Sequence, residues 1–392
     1  MYKKSHRIQS IDILRGLTVA LMIFVNNIAG VTGVPAWLAH APVGYDAMYL
    51  ADIVFSLFLF WVGMSVPLAI EGQHRKGVKD LDILAHILKR TVSLLFIGVL
   101  MVNIDSLSSE KSGIDSNLWA FLMYVGVIAS WRVYGKEKTH IGKWVGVIVH
   151  YSGIALLVYL VLIFRTSDGG WLTPQWWGIL GLIGWAYLVT AVCYLFFRNN
   201  FTHLILLFIG LIAYHAIYSG FPGLKSYAGW FALNSYGGHA TLSFAGMMAT
   251  LVMLKYRTSI NKFFKIWGFS GLFFFVMAFL SRPIWGIQKD GASPSWVWLS
   301  IAIGLWLLIL VWFLVEKRGY TSWALVFKPA GTDTFFAYLL QSSYYNLFWL
   351  LGLSYPVWLN HSIGGFIRSL IVSILLIQLT GLLARKGIRL KL

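Results

Sequence analysis

AMYLADIVFSLFLFWVGMSVPLAI, residues 47–70, decides the fold. It carries a single charged side chain, Asp52, in an otherwise apolar run. Such a run is long enough, at about 1.5 Å per helical residue, to cross a hydrocarbon core roughly 30 Å thick. The rest of the chain matches it. Of 392 residues, 58% are hydrophobic and 11% charged, where a soluble domain carries roughly 25% charged residues. Soluble-enzyme folds are excluded, because no soluble packing hides that much apolar surface.

Apolar segments recur at 9–29, 47–70, 82–104, 117–131, 141–164, 175–197, 202–219, 237–254, 263–280, 295–315, 332–353 and 363–384. The expectation is an all-α polytopic membrane protein, about twelve transmembrane helices in one bundle, forming one domain over 1–392. The net charge of +17 then reports topology. With the N-terminus in the cytoplasm, 25 of the 31 Lys and Arg fall on inner segments. Lys111, Arg165, Lys225, Arg282, Lys289 and Arg368 are left outside. The positive-inside rule therefore places both termini in the cytoplasm, and the charge needs no nucleic acid. Ala39-His40-Ala41 mimics a signal cleavage site. It lies too far beyond the first apolar run and is followed by Pro42, so that run reads as a retained helix. The lone Cys193, in TAVCYLFF, allows no intramolecular disulfide and no cysteine metal cluster. No metal motif or phosphate-loop motif occurs, and no metal is expected.

Ionisable groups within spans mark functional candidates. Asp12, Arg15 and Asn26 lie on one stripe of the first helix, three and eleven residues apart. They read either as an ion pair with a satisfied amide or as the lining of a passage. The loop GVTGVPAWLAHAPVGYDAM, 30–48, has no Lys or Arg and holds His40 between Pro35 and Pro42. A histidine there suits general acid/base chemistry or a structural role, with Asp46 and Asp52 placed to orient its ring. Asp52 reads equally as a helix-start charge favoured by the macrodipole. His86, between Asp82 and Arg90, fits a solvated helix start or an anionic-ligand site. His150, His215 and His239 are isolated and read as interior histidines. The outer stretch RPIWGIQKDGASPSW, 282–296, offers Lys289 and Ser293 for a polar substrate, or an ordinary capped loop.

At these residues the sequence resembles the heparan-alpha-glucosaminide N-acetyltransferase family. SIDILRGLTVALMIFVNN, 10–27, resembles its S-x-D-x-x-R-G block and M-x-F-V-N helix end. HAPVGYDAMYLADIVFSLFLFWVG, 40–63, resembles its loop histidine followed by A-D-[LIV]-V-F-P-x-F. LNSYGGHATLSFAG (233–246), IQKDGASPSWV (287–297) and KPAGTDTFFAYLLQ (328–341) are similar to three later blocks. The departures are Ser56 for proline, Asn234-Ser235-Tyr236 for D-P-E, Asp333 for asparagine, and two extra apolar segments around 141–197. The resemblance implies transfer of acetyl from cytosolic acetyl-CoA to a carbohydrate or amino-sugar acceptor across the membrane. It makes His40, Asn26 and Asp52 the catalytic candidates and places Arg15 and Asp12 on the cofactor side. Asp46, Lys289 and Ser293 are left for the acceptor. Direct transfer and an acetyl-histidine route both remain open. The expected setting is the lipid bilayer of a bacterial cytoplasmic membrane, with a homodimer as one assembly.

The competing reading is a twelve-helix secondary transporter, which would share the even span count and the buried charges. Against it stand the short link near Arg198-Asn199-Asn200 and the lack of a repeat relating the halves.

Overall fold

The structure, a computed structural model, describes residues 8–134, 140–220, 233–256 and 259–392, the side chains of 140–143 and 233–236 excepted. Lys3, Lys4, Arg7, Lys136, Lys138, Lys143, Lys225, Arg257 and the Asn234-Ser235-Tyr236 departure thus lie outside the described residues or side chains. Each of the apolar segments forms a helix: α1 Gln9–Ile28, α2 Leu50–His74, α3 Asp80–Val102, α4 Ser116–Trp131, α5 His140–Ile163, α6 Gly178–Phe197, α7 Phe201–Gly220, α8 Leu233–Lys255, α9 Ile260–Trp285, α10 Pro294–Trp312, α11 Thr334–Leu350 and α12 Ser362–Arg385. Among the described residues, 10 helices are long and apolar enough to cross a membrane. The two others, α4 with 16 residues and α11 with 17, fall short of that length. The chain is an all-α, multi-pass membrane protein.

Burial separates inner from outer helices. The apolar window of α8 is 83% buried inside the protein and that of α1 72%, against 11% for α7 and 22% for α5. A helix apolar on all sides yet exposed has lipid as its solvent. At the centre, α8 crosses α2 with backbones nearly touching. A Cβ on Gly63 would lie 1.7 Å from the Ser243 carbonyl oxygen, and one on Gly246 1.9 Å from that of Phe60. In a bilayer, where water does not drive helices together, such small-residue contact and interhelical hydrogen bonds carry the association. Trp61 Nε1 donates to Thr18 Oγ1 at 2.8 Å across α2 and α1, and Thr250 Oγ1 to the Met64 carbonyl at 2.9 Å across α8 and α2.

Two ends of the bundle differ in chemistry. At one, Asp80 at the start of α3 pairs with His74 at the end of α2 (3.3 Å) and with Arg198 after α6 (3.2 Å). Arg75, Lys76, Lys79, Lys317, Arg318 and Arg385 belong to helix ends on this side, called here the basic end. The opposite end carries the loop 29–49 and the loop 286–293 between α9 and α10.

Candidate functional site

The site begins with how α2 starts. Asp52 lies in its first turn and is 2% exposed. Its Oδ2 accepts the backbone N–H of Tyr49 and of Ala41, each at 3.0 Å, and its Oδ1 lies 2.7 Å from His40 Nδ1. One carboxylate therefore caps the helix, folds the preceding loop back over it, and fixes the imidazole. An ionised carboxylate only accepts, so Nδ1 carries the hydrogen, and in the neutral ring Nε2 keeps its lone pair. Lys289 Nζ lies 3.2 Å from the same Nδ1. One ring nitrogen cannot donate to Asp52 and accept from an ammonium at once. The shorter contact, to a carboxylate already locked by two amides, takes the hydrogen, and the Lys289 head stands beside the ring. Burial pushes the Lys289 ammonium below its usual range, against the opposing pull of Asp52 and Asp290.

His40 and Lys289 open onto a cavity of about 460 Å3, lined also by Met22, Asn26, Phe55, Trp176, Ile179 and His239. Such a volume suits a small-molecule site, typically about 300–1,000 Å3. The Asn26 side chain makes no hydrogen bond among the described residues. His239, from α8, stands edge-on to Phe55 at 5.4 Å and to Trp296 at 6.4 Å. Toward the basic end a second cavity, about 270 Å3, is lined by Arg15, Arg90, Asp333, Thr334 and Lys391. Arg15 Nη2 donates to Thr334 Oγ1 at 3.0 Å, and the Arg90 guanidinium stacks over the Tyr187 ring at 4.7 Å. Met22 and Ile179 line both cavities. The α1 stripe foreseen from spacing thus runs along two adjoining chambers, with Arg15 in one and Asn26 in the other. Asp12 sits in the first turn of α1 outside both linings.

Of the two acids beside His40 in sequence, only Asp52 reaches the ring. Asp46 instead joins the two loops: its Oδ1 accepts from the Ile287 N–H at 2.6 Å and its Oδ2 from Arg282 Nε at 2.7 Å. The Ile287 amide first, and Arg282 after it, hold the Asp46 carboxyl below the usual carboxylate range, against the opposing effect of its burial. Ser293 caps α10. Its hydroxyl donates to the Gly286 carbonyl at 2.9 Å and accepts from the Gln288 N–H at 3.0 Å and the Trp296 N–H at 3.3 Å, and it lies outside the cavity lining. His86 Nδ1 meets the Asp82 carbonyl one turn earlier, at 2.6 Å, on an exposed face. Sequence reasoning missed His239 and Trp176 as cavity residues. A lone histidine in an apolar helix and a tryptophan in a loop give no signal of where they point. Among the described residues, no group of three or more His, Cys, Asp or Glu could hold a metal ion.

An imidazole with one nitrogen oriented by a carboxylate and the other facing a chamber can move protons. Fold and geometry together define the class: a multi-pass helical membrane protein with a carboxylate-oriented histidine at one end of its bundle. The model of a family described as "Domain of unknown function (DUF5009)" matches residues 7–220, more than half of the chain, and the chain belongs to that family. It is also similar to the heparan-alpha-glucosaminide N-acetyltransferases of Mus musculus, 33% identical over 100 residues, and Homo sapiens, 33% identical over 98. Each match covers 25% of this chain and 14% of the relative, so the chain spans a small part of these relatives.

Proposed function

We propose that this chain, as one unit, is a membrane acetyltransferase that moves acetyl from cytosolic acetyl-CoA to an amine or hydroxyl of a glycan or amino sugar on the other side. The membrane is then a bacterial cytoplasmic one, with the basic end facing the cytoplasm. The observation that carries this reading is the pair of chambers meeting at Met22 and Ile179, one basic and one holding the Asp52-oriented His40. The donor fits them. Its phosphates match the Arg15, Arg90 and Lys391 chamber, and its uncharged pantetheine arm suits the apolar walls between. The two curated relatives, named as N-acetyltransferases, add the reaction class.

The residues divide the work. His40 Nε2 takes the proton that the acceptor nitrogen or oxygen sheds as it bonds to the acetyl carbonyl carbon. Asp52 stabilises the imidazolium through Nδ1–H. Asn26 and Lys289 supply donors for the oxyanion of the tetrahedral intermediate. As the carbon–sulfur bond breaks, His40 returns the proton to the thiolate, which leaves as CoA. The opening experiment is thermal stabilisation of the purified protein by acetyl-CoA, followed by acetyl transfer in wild type and His40→Ala. Saturable stabilisation is expected in both, with transfer lost by about 10²–10⁴-fold in the variant. Full transfer by His40→Ala overturns the base, and absence of stabilisation at millimolar acetyl-CoA overturns the reading in favour of a transporter.

A further inference from the structure

A third cavity, about 350 Å3, opens beside the His40 chamber and is lined by Asp105, Ser106, Gln175 and Trp176. Trp176 and Ile179 belong to both linings, and Ile179 also lines the basic chamber. Three chambers therefore meet at the first turn of α6. The reading of the function above uses two of them.

The third is constructed. Trp176, in the segment between α5 and α6, is 52% exposed. Its neighbours Gln175 and Trp177 both hold left-handed backbone, φ 45° and 68°, though neither is glycine. Such backbone is costly and persists where the surroundings enforce it. Here the enforcing group is Asn103, 1% exposed at the end of α3. Its Nδ2 donates to the Thr173 carbonyl at 2.7 Å, and its Oδ1 accepts from the Thr173 N–H at 3.3 Å and from Gln175 Nε2 at 3.1 Å. One buried amide thus clamps the loop segment that displays Trp176. Across the cavity Asp105 presents an exposed carboxylate that makes no hydrogen bond or ion pair among the described residues.

A flat apolar face opposite an acceptor-only carboxylate and a hydroxyl complements a pyranose, which has one face of C–H groups and a rim of hydroxyls. We infer that this third cavity is the acceptor subsite. It seats a pyranose ring against Trp176, with ring hydroxyls donating to Asp105, so that the group to be acetylated projects past Trp176 to His40. The inference rests on the acetyltransferase reading and adds the place and the holding residues of its sugar acceptor. It also gives a task to the segment before α6, which lies within the stretch 141–197 read from the sequence as extra relative to the family it resembles.

The test measures thermal stabilisation by glucosamine alone, and separately by acetyl-CoA alone, on wild type, Trp176→Ala, Trp176→Phe and Asp105→Asn. The acyclic amino alcohol serinol is the control ligand. The expected result is saturable glucosamine binding to wild type and at least tenfold weaker serinol binding. Trp176→Ala and Asp105→Asn should each raise the glucosamine Kd about tenfold while acetyl-CoA still binds, and Trp176→Phe should retain most of the affinity. Wild-type glucosamine affinity in both loss variants, equal serinol binding, or no glucosamine binding by wild type overturns the subsite. Loss of acetyl-CoA binding by wild type instead overturns the underlying reading, so the two failures are distinguishable.

Discussion

Asp52 is asked to do three things with two oxygens: cap α2, hold the His40 loop and orient the ring. Asp52→Asn keeps the shape but replaces an acceptor-only group with one that also donates, so Nδ1 no longer sees a dependable acceptor. Transfer should fall by about 10²-fold or more. Stability should drop by about 1–3 kcal/mol as a buried amide goes unsatisfied. Acetyl transfer and melting on the same preparation check both. Lys289 behaves oppositely. Its ammonium is disfavoured by burial, so its folded pKa lies below the unfolded value near 10.5. That cost is present in full below the folded pKa and vanishes above the unfolded one. Lys289→Met should therefore preserve or raise the melting temperature at pH 7, with the advantage shrinking toward pH 10.5, while transfer slows. A melting temperature that falls at pH 7 would show that the ammonium stabilises the loop.

At the scale of elements, the α2–α8 crossing holds the site together, because Asp52, which fixes the His40 ring, rides on one helix and His239 on the other. Gly63→Ala or Gly246→Ala drives a methyl into a carbonyl at under 2 Å. Neither backbone can retreat without parting the helices, so each should cost about 3 kcal/mol or more. Gly210 on the exposed α7 has nothing within 4 Å of its missing Cβ, and Gly210→Ala should be neutral or slightly stabilising. Equal melting of all three variants would refute the crossing. Much of this scale was legible beforehand. Length and hydropathy located the twelve long apolar helices, though not the short ones at Ser109–Ser112 and Lys328–Thr332, and Ser293 before Pro294 carries the signature of a helix start. The shortness of α4 already stood in its segment, 117–131, whereas that of α11 was hidden, since apolar composition continues past the point where the backbone turns. The link from Asp52 to His40 followed from proximity in the chain. The arrival of Lys289 from 249 residues away, and of His239 and Trp176, did not, because tertiary packing alone decides which face of an apolar helix looks inward.

At the scale of the molecule, the two loops are stapled over the chamber by Asp46, and the far end is closed by residues 389–392. Val133 N–H donates to the Arg389 carbonyl at 2.8 Å and Lys391 N–H to that of Trp131 at 3.0 Å, which sets Leu390, Lys391 and Leu392 in the wall of the basic chamber. Asp46 lies in a loop and its carboxyl is lowered by Ile287 and Arg282. The stability it contributes is thus complete above the unfolded value near 3.8 and is lost as pH falls through the lowered folded value. The melting difference between wild type and Asp46→Asn should be constant near neutrality and shrink only below about pH 4. A difference unchanged down to pH 2 would mean that the staple does not depend on charge. The basic chamber makes a separate claim, since three cations around one cavity bind phosphate partly by charge. Arg15→Ala or Arg90→Ala should weaken acetyl-CoA binding by about 10–100-fold, the effect of losing one charge-assisted hydrogen bond. The loss should shrink as salt rises and screens the remaining wild-type attraction. Binding of dephospho-CoA should weaken less than that of CoA if the arginine meets the 3′-phosphate, and equally if it meets the diphosphate. Unchanged affinity in both variants would remove the nucleotide from this end and leave the chamber as one half of a transport path.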